Sequence, residues 1–381
     1  MRIINVVGAR PNFMKIAPLM EEYERHPEIE PLLVHSGQHY DEKMSTLFFE
    51  QLGIREPDVN LEVGSASHAV QTADIMKAFE PLLLDYQPDA VLVVGDVNST
   101  IACGLVAVKL HVKVIHVEAG LRSFDRSMPE EINRVLTDSI SDLLFCTEQS
   151  GVENLMAEGI DQDRIYLVGH VMIDTLKRNM ETAHQSTILN KLHAQGYIDG
   201  DGFSVLTLHR PSNVDDPEVF SRILDALEVI QNDLPIIFPI HPRTYKNITS
   251  MNLRKRVDSL TRLHLIDPIG YLDFLKLQSS AKVVFTDSGG IQEETTVLKI
   301  PCITLRENTE RPVTVEMGTN QIVGTDTQKI VHAFRRVMNG KFHESRIPPL
   351  WDGKAAERIV DVIEEKIVDL KMRRYEAVKM S

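Results

Sequence analysis

The chain has 381 residues, of which 43% are hydrophobic and 25% charged, a composition typical of a globular protein. Its length exceeds one ordinary hydrophobic core and predicts two domains of about 150–190 residues each. The formal net charge of −14 argues against non-specific nucleic-acid binding and against docking on an anionic membrane. An anionic ligand would therefore need a locally basic pocket.

The cysteines and the N-terminus bear on the cellular compartment. Cys103, Cys146 and Cys302 are odd in number and far apart, so we expect buried free thiols, not disulfides or a zinc site. The chain begins with a strand-like run and shows no signal-peptide pattern. No apolar stretch approaches the ~20 residues that span a membrane. We therefore expect a cytoplasmic enzyme.

Short β-branched runs alternate with amphipathic helical patterns along the whole chain. The strands predicted in the first half are 3–7, 31–34, 90–94, 112–117, 143–146 and 165–168. Those predicted in the second half are 204–208, 235–239, 263–266, 283–286, 302–305 and 321–323. Near-continuous apolar strands between helices indicate parallel sheets that are covered on both faces. Two such series predict an α/β fold of two Rossmann-like, doubly wound domains.

The regular pattern breaks near 170–200, where polar helical sequence leads into a turn-rich segment. We therefore place an N-terminal domain at 1–175 and a C-terminal domain at 176–355. A long charged amphipathic helix follows, from Lys354 to about Arg374. The segment 356–381 either closes the second domain or packs back on the first.

Polar residues follow the predicted strands at the positions where open α/β sheets bind their ligands. The segments concerned are 8–15, 95–100, 118–122, 209–211, 241–243 and 287–290. Together they supply carboxylates, histidines and arginines to the carboxyl ends of the strands. We expect them to line a cleft between the two domains.

Two of these segments favour an anionic ligand. The Ser-Gly-Gly turn at 288–290 starts a helix, so it offers free N–H groups and the positive end of the helix dipole. A plain helix N-cap is the alternative interpretation of a glycine pair. Arg10 and Lys15 also lie at a helix start, where the dipole disfavours cations unless an anion compensates them.

Asp96, Glu118 and Glu130 are the candidate acid/base groups. Clustered carboxylates push one another's pKa upward, so one can act as an acid while another acts as a base. An N-cap role for Asp96 and a favourable first-turn charge for Glu130 are the structural alternatives. His209 and His241 end consecutive strands and could bind diphosphate oxygens, whereas their spacing does not favour a metal.

Eight segments occur in an order that resembles a known family: GARPNFMK, GDVNST, HVEAGLRS, MPEEINR, LHRPSN, HPR, TDSGGIQEE and TERP. They resemble the non-hydrolysing UDP-N-acetylglucosamine 2-epimerases from about residue 3 to residue 360. The resemblance implies a GT-B-type fold with the active site between the domains, and a homodimer. It also implies interconversion of UDP-GlcNAc and UDP-ManNAc through elimination of UDP to a 2-acetamidoglucal and re-addition, with no cofactor.

The resemblance also implies residue roles. Asp96, Glu118 and Glu130 would be the acid/base carboxylates, with His209 near the diphosphate, and Phe274 would line the uracil pocket. The residues that would hold the nucleotide are Arg10, Lys15, Arg134, His241, Ser288, Gly289, Gly290, Glu294 and Arg311.

Three segments depart from the pattern of the bacterial members. The stretch from Glu118 to Glu130 is shorter, HRPS stands at 209–212 in place of HRRE, and QHYD stands at 38–41 in place of QHRxM. These regions neighbour the place where bacterial relatives hold a second, activating substrate molecule.

Four alternatives stay open at this point. The short loop and GQHYDEKMS also resemble epimerases of UDP-2,3-diacetamido uronic acids. The others are a hydrolysing 2-epimerase, a retaining GT-B glycosyltransferase and a non-catalytic sugar-nucleotide sensor. Lys15 and the TERP segment favour the non-hydrolysing branch.

Overall fold

The computed structural model describes residues 1–37, 53, 55–342 and 345–380, and for Arg10 and residues 368–380 it describes the backbone. The chain divides into two compact units. Unit 1 comprises Met1–Lys177 and Pro349–Ser381, and unit 2 comprises Arg178–Pro348. Among the helices that the structure describes, none is long and apolar enough to cross a membrane.

Unit 1 is built on a seven-stranded parallel sheet of order β3-β2-β1-β4-β5-β6-β7. Its strands are β1 (Arg2–Val7), β2 (Glu30–His35), β3 (Val59–Asn60), β4 (Ala90–Val94), β5 (Lys113–Ala119), β6 (Leu143–Cys146) and β7 (Ile165–Leu167). The helices are α1 (Arg10–Tyr23), α2 (His68–Tyr86), α3 (Asn98–Lys109), α4 (Pro129–Ile140), α5 (Gln149–Ala157), α6 (Val171–His184) and α16 (Ala355–Met380). The division between the units falls within α6.

Unit 2 is built on a six-stranded parallel sheet of order β10-β9-β8-β11-β12-β13. Its strands are β8 (Ser204–Thr207), β9 (Ile236–Pro239), β10 (Leu263–Ile266), β11 (Val283–Thr286), β12 (Cys302–Thr304) and β13 (Asn320–Ile322). The helices are α7 (Ile188–Ala194), α8 (Pro211–Val214), α9 (Pro217–Asp233), α10 (Pro242–Ser250), α11 (Arg254–Ser259), α12 (Tyr271–Ser279), α13 (Gly289–Leu298), α14 (Pro312–Glu316) and α15 (Thr327–Met338).

The strand sequences explain the architecture. All five residues of β4 and all four of β11 are buried, as expected for strands covered by helices on both faces. Each sheet is doubly wound, and its winding reverses between β1 and β4 in unit 1 and between β8 and β11 in unit 2. Ligands of such sheets bind at this switch point, beyond the carboxyl ends of the strands. The predicted α/β class with two parallel, doubly wound sheets is confirmed.

The last segment of the chain belongs to unit 1. Trp351 is buried and donates from its indole nitrogen to the carbonyl oxygen of Thr147 at 2.9 Å. The carboxylate of Asp174 accepts the backbone N–H groups of Ala355 and Ala356 at 3.2 and 2.8 Å. Burial raises the pKa of Asp174 to about 6 although these two hydrogen bonds lower it. The start of α16 is therefore fastened to α6.

Candidate active site

At the switch point of unit 1, the side chain of Asn12 links two neighbouring strand ends. This side chain is buried on the first turn of α1. Its carbonyl oxygen accepts the N–H of Ala9 at 2.9 Å, and its amide donates to the carbonyl oxygen of Val94 at 3.0 Å. The turn after β1 is thereby tied to the end of β4. This brings the polar residues that follow these two strands to one edge of the sheet.

Glu118 and Lys15 form a buried ion pair at this edge. Glu118 has a backbone φ of +75°, a value that residues other than glycine rarely adopt. The pairing register of β5 also shifts between Val117 and Ala119. Gly95 lies against the pair, since a Cβ built on it would be 3.2 Å from Nζ of Lys15 and 3.5 Å from Oε2 of Glu118. Strained backbone of this kind is typical of functional sites.

Asp96 lies in the same loop and pairs with Arg134. The guanidinium contacts Oδ2 of Asp96 from Nε at 3.0 Å and from Nη2 at 2.8 Å. Asn133 donates to the carbonyl oxygen of Asp96 at 2.9 Å, so α4 holds both the backbone and the side chain of this residue. The Asp96 side chain is 29% exposed and open to a ligand.

Adjacent glutamates of α4 differ in their surroundings. Glu131 is buried and accepts the N–H groups of Ser123 and Phe124 at 2.9 and 2.8 Å, while Arg134 donates to it at 2.5 Å. Burial raises the pKa of Glu131, but these hydrogen bonds and the Arg134 charge outweigh it and leave the pKa below its usual value. Glu131 therefore orders the preceding loop, whereas Glu130 is half-buried beside it.

The switch point of unit 2 is organised by Asp287, which is fully buried at the end of β11. Its carboxylate accepts the N–H groups of His209 and Arg210 at 3.0 and 2.9 Å and contacts Nδ1 of His209 at 2.9 Å. Burial raises the pKa of Asp287, but these interactions outweigh it and the net shift is downward. The His209 side chain is 44% exposed, and its Nε2 is left for a ligand.

Helix α13 begins next to Asp287. A Cβ built on Gly290 would meet no atom of the described residues within 4 Å, and one on Gly289 would meet only Oε2 of Glu310, at 4.0 Å. The first N–H groups of a helix lack partners within it, so this turn can receive an anion. Ser288, Gly289 and Gly290 are all half-buried at this surface.

A pocket of about 210 Å³ lies in unit 2, at the carboxyl ends of β8, β9 and β10. The structure brings three of the expected residues to its wall: His209, His241 and Phe274. The two imidazole rings are 6.1 Å apart between centroids. Burial, followed by the charges of His209 and Arg243, lowers the pKa of His241, so this ring is neutral at neutral pH. The wall is otherwise mostly apolar, which suits a planar base.

Two further candidates lie on or near α13. Glu294 is buried, and the hydroxyl of Tyr271 donates to its Oε1 at 3.1 Å. Burial is the largest influence on the pKa of Glu294 and raises it to about 7. Arg311 forms a buried ion pair with Glu293, the neighbour of Glu294.

The sequence profile described as UDP-N-acetylglucosamine 2-epimerase matches residues 21–364 of the chain. The chain belongs to this family. One relative, from Methanocaldococcus jannaschii, is named UDP-N-acetylglucosamine 2-epimerase. It is 43% identical over 365 residues, which cover 95% of this chain and 99% of the relative. The UDP-2,3-diacetamido-2,3-dideoxy-D-glucuronate 2-epimerase of Pseudomonas aeruginosa is 39% identical, with 95% and 99% covered.

A solved structure of an epimerase of the same family has the same fold. The Methanocaldococcus jannaschii UDP-GlcNAc 2-epimerase, crystallised with UDP-GlcNAc and UDP, matches with a TM-score of 0.88 and 41% identity. The match covers 96% of this chain and 100% of the crystallised one. The prediction of a GT-B-type fold is thus confirmed.

The roles that the family resemblance implies for individual residues stay predictions. The structure describes where most of these residues lie. Asp96, Glu118, Lys15 and Arg134 lie together in unit 1, with Glu130 on the same helix as Arg134. The side chain of Arg10 and the segment 38–41 lie outside the described residues. Asp287 and Glu131 were not among the predicted site residues. The sequence signal for Asp287 is a carboxylate at a strand end, and that for Glu131 is a carboxylate at a helix start.

One group of side chains in unit 1 has the composition of a metal site. His26, Asp361 and Glu364 each offer a ligand atom, and these atoms lie within 4.8 Å of one another. His26 already contacts Glu364 from Nδ1 at 2.9 Å, and Asp361 is exposed. An ordinary side-chain contact between the turn after α1 and α16 accounts for this geometry.

Proposed function

We propose that the chain is a UDP-N-acetylglucosamine 2-epimerase that interconverts UDP-GlcNAc and UDP-ManNAc by eliminating and re-adding UDP. The observation that carries the proposal is the convergence of Asp96 and Glu118, each paired with a cation, at the switch point of unit 1. The 43% identical relative with the same named activity supports it. Membership of an isomerase family disfavours the glycosyltransferase and sensor alternatives.

Unit 2 would bind the nucleotide. The N–H groups at the start of α13 and Nε2 of His209 would contact the diphosphate and stabilise its charge as it leaves C1. The pocket at Phe274 would take the uracil, and Glu294 would accept hydrogen bonds from the ribose hydroxyls. Asp287 would keep His209 in one orientation throughout.

Unit 1 would supply the proton transfers at C2. Inversion requires that a proton leaves one face of the carbon and another arrives on the opposite face, so more than one acid/base group is needed. Asp96, Glu118 and Glu130 provide three carboxylates for this purpose, and the order in which they act stays open. Lys15 and Arg134 hold two of them in fixed positions.

The sugar is tested with a second candidate substrate. The 39% identical Pseudomonas aeruginosa relative is named as an epimerase of a UDP-2,3-diacetamido uronic acid, on which the same inversion at C2 would occur. Comparing kcat/KM for the two UDP-sugars decides between them. The cytoplasmic location and the homodimer stay predictions.

The test of the reaction is isotope exchange at C2. Purified protein is incubated with UDP-GlcNAc in D2O and followed by NMR. Deuterium at C2 together with UDP-ManNAc is the expected result. Free ManNAc with UDP would identify a hydrolysing epimerase, and exchange or turnover that requires an added acceptor would identify a transferase.

The carboxylates are tested separately. Glu118→Gln and Asp96→Asn should lose C2 exchange and still bind UDP, because the nucleotide is assigned to unit 2. The matched control is Glu153→Gln, which changes an exposed glutamate of the same unit. Full exchange in either active-site variant would exclude that residue as an acid or base.

A further inference from the structure

A cluster of four ionisable groups, three of them buried, lies beneath the carboxylates of unit 1, and the proposed reaction uses none of them. His116 on β5 and Asp138 on α4 are both fully buried. Arg122, from the loop after β5, is also buried, and Glu158 follows α5. Charged groups at such depth are costly unless their hydrogen bonds are arranged to compensate them.

The hydrogen bonds determine where the protons of His116 reside. Its Nε2 lies 2.9 Å from the carbonyl oxygen of Gly95, which can only accept, so Nε2 carries a proton. Its Nδ1 lies 2.6 Å from Oδ1 of Asp138. The other oxygen of Asp138 accepts the N–H of Gly120 at 3.1 Å and Nη1 of Arg122 at 2.7 Å, which favours the ionised carboxylate. The Nδ1 atom must then donate, and His116 is an imidazolium.

The fourth group of the cluster lies at the surface of the protein. Arg122 also binds Glu158 with two parallel hydrogen bonds, at 2.8 and 2.7 Å. The Glu158 side chain is 36% exposed, so solvent screens its charge. The hydrogen bonds of His116, and not a charge balance, therefore assign its ring protons.

The two hydrogen-bond partners of this pair lie next to the candidate catalytic residues. Gly95 directly precedes Asp96, and Gly120 follows Glu118 by two positions. The backbone is left-handed at Gly95, Glu118 and Gly120, with φ of +70°, +75° and +80°. The two glycines adopt it freely, whereas at Glu118 it persists only where the surrounding structure holds it.

We propose that His116, held as an imidazolium by Asp138, is a positioning residue that sets the separation of Asp96 and Glu118. It acts by joining the loop after β4, through the Gly95 carbonyl, to the loop after β5, through Asp138 and the Gly120 N–H. Its effect on turnover rests on the proposed epimerase function, whereas its protonation does not.

The protonation is tested first, on the wild-type protein without ligand. Long-range proton–nitrogen NMR at neutral pH should show both ring nitrogens of His116 protonated. In Asp138→Asn the amide can donate to Nδ1 and accept from Gly120 and Arg122, so Nδ1 should lose its proton. A wild-type ring with one unprotonated nitrogen would overturn the proposal whatever reaction the protein catalyses.

The positioning role is tested by kinetics. In His116→Gln the amide replaces at most one of the two hydrogen bonds of the imidazole ring. We expect kcat to fall by about 10²-fold, the effect of displacing a catalytic group by roughly 1 Å. The Kd of UDP should stay unchanged, and Asp138→Asn should keep most of the turnover because its hydrogen bonds remain. Should His116→Gln not fold, the Asp138→Asn kinetics and the wild-type NMR spectrum still decide the question.

The control variant is Val114→Ala, which removes buried apolar volume from the same strand and leaves every hydrogen-bonding group of the cluster in place. It should destabilise the protein and retain the wild-type kcat. A wild-type kcat in His116→Gln, or an Asp138→Asn loss as large as that of His116→Gln, would overturn the positioning role. If the wild-type protein shows no C2 exchange, the proposed function fails while the NMR result still stands.

Discussion

Replacing Glu294 with glutamine should stabilise the protein above neutral pH and weaken its binding of UDP. The side chain is buried on α13, and burial raises its pKa to about 7. The hydroxyl of Tyr271, 3.1 Å from Oε1, and the side chain of Gln278 offset this rise in pKa only in part. An ionised Glu294 is therefore unfavourable in the free protein, although the proposed function uses it to accept hydrogen bonds from ribose.

The sign follows from proton linkage. The unfolded chain loses the proton of this glutamate near the ordinary pKa of 4.5, and the folded protein retains it until about 7. Between these values the folded state binds more protons, so the free energy of unfolding falls as the pH rises. The gap between the two pKa values corresponds to about 3 kcal/mol. Glutamine does not titrate and should abolish this decline.

The assay is urea unfolding of wild-type protein and Glu294→Gln at pH 5 and pH 8, without ligand. From pH 5 to pH 8, the free energy of unfolding of the wild type should fall by about 2–3 kcal/mol more than that of the variant. Glu316→Gln, an exposed glutamate of the same unit, is the control and should follow the wild type. Calorimetry should show UDP binding weakened by about 10- to 100-fold, the loss of one charge-assisted hydrogen bond. Parallel pH profiles for wild type and Glu294→Gln would refute the reasoning.

Three further changes test the two switch points. Asp287→Asn should keep the fold but lower kcat about tenfold or more, because His209 loses the anion that orients it, and steady-state kinetics that match the wild type would contradict this. Gly290→Ala should leave the melting temperature unchanged and weaken UDP binding about tenfold by calorimetry, since its Cβ meets only the space assigned to the diphosphate. Gly120→Ala should prevent stable folding, because its Cβ would lie 2.3 Å from the carbonyl oxygen of Gly151, and a variant with wild-type melting behaviour would show that this contact can relax.

The strands were the most predictable part of the fold. All twelve predicted strands are present to within a residue or two, because strands buried on both faces are continuous β-branched runs. The strand β3 was not predicted, since its two residues, Val59 and Asn60, are too short to show a period. All three cysteines are buried and free in the part of the chain that the structure describes, as predicted.

The candidate site was predictable in its location but not in its pairings. Parallel strands bring their carboxyl ends to one edge, so polar residues after β1, β4 and β5 had to lie near one another. The pairing of Lys15 with Glu118 joins residues 103 positions apart and depends on the left-handed backbone of Glu118, which no local pattern indicates. The sequence does not single out His116, because a histidine inside an apolar strand is usually a core residue. Its position two residues before Glu118 was the available signal.

The path of the chain has a consequence for how the protein is made. Unit 2 is one continuous segment inserted into unit 1, whose last part begins at Pro349. Trp351 and the start of α16 supply buried contacts to Thr147 and Asp174, so unit 1 lacks these contacts until residues 351–356 have left the ribosome. Unit 2 can fold earlier, although its sequence comes later than most of unit 1. A premature stop near residue 348 should leave a folded unit 2 joined to an incomplete unit 1 that proteases remove.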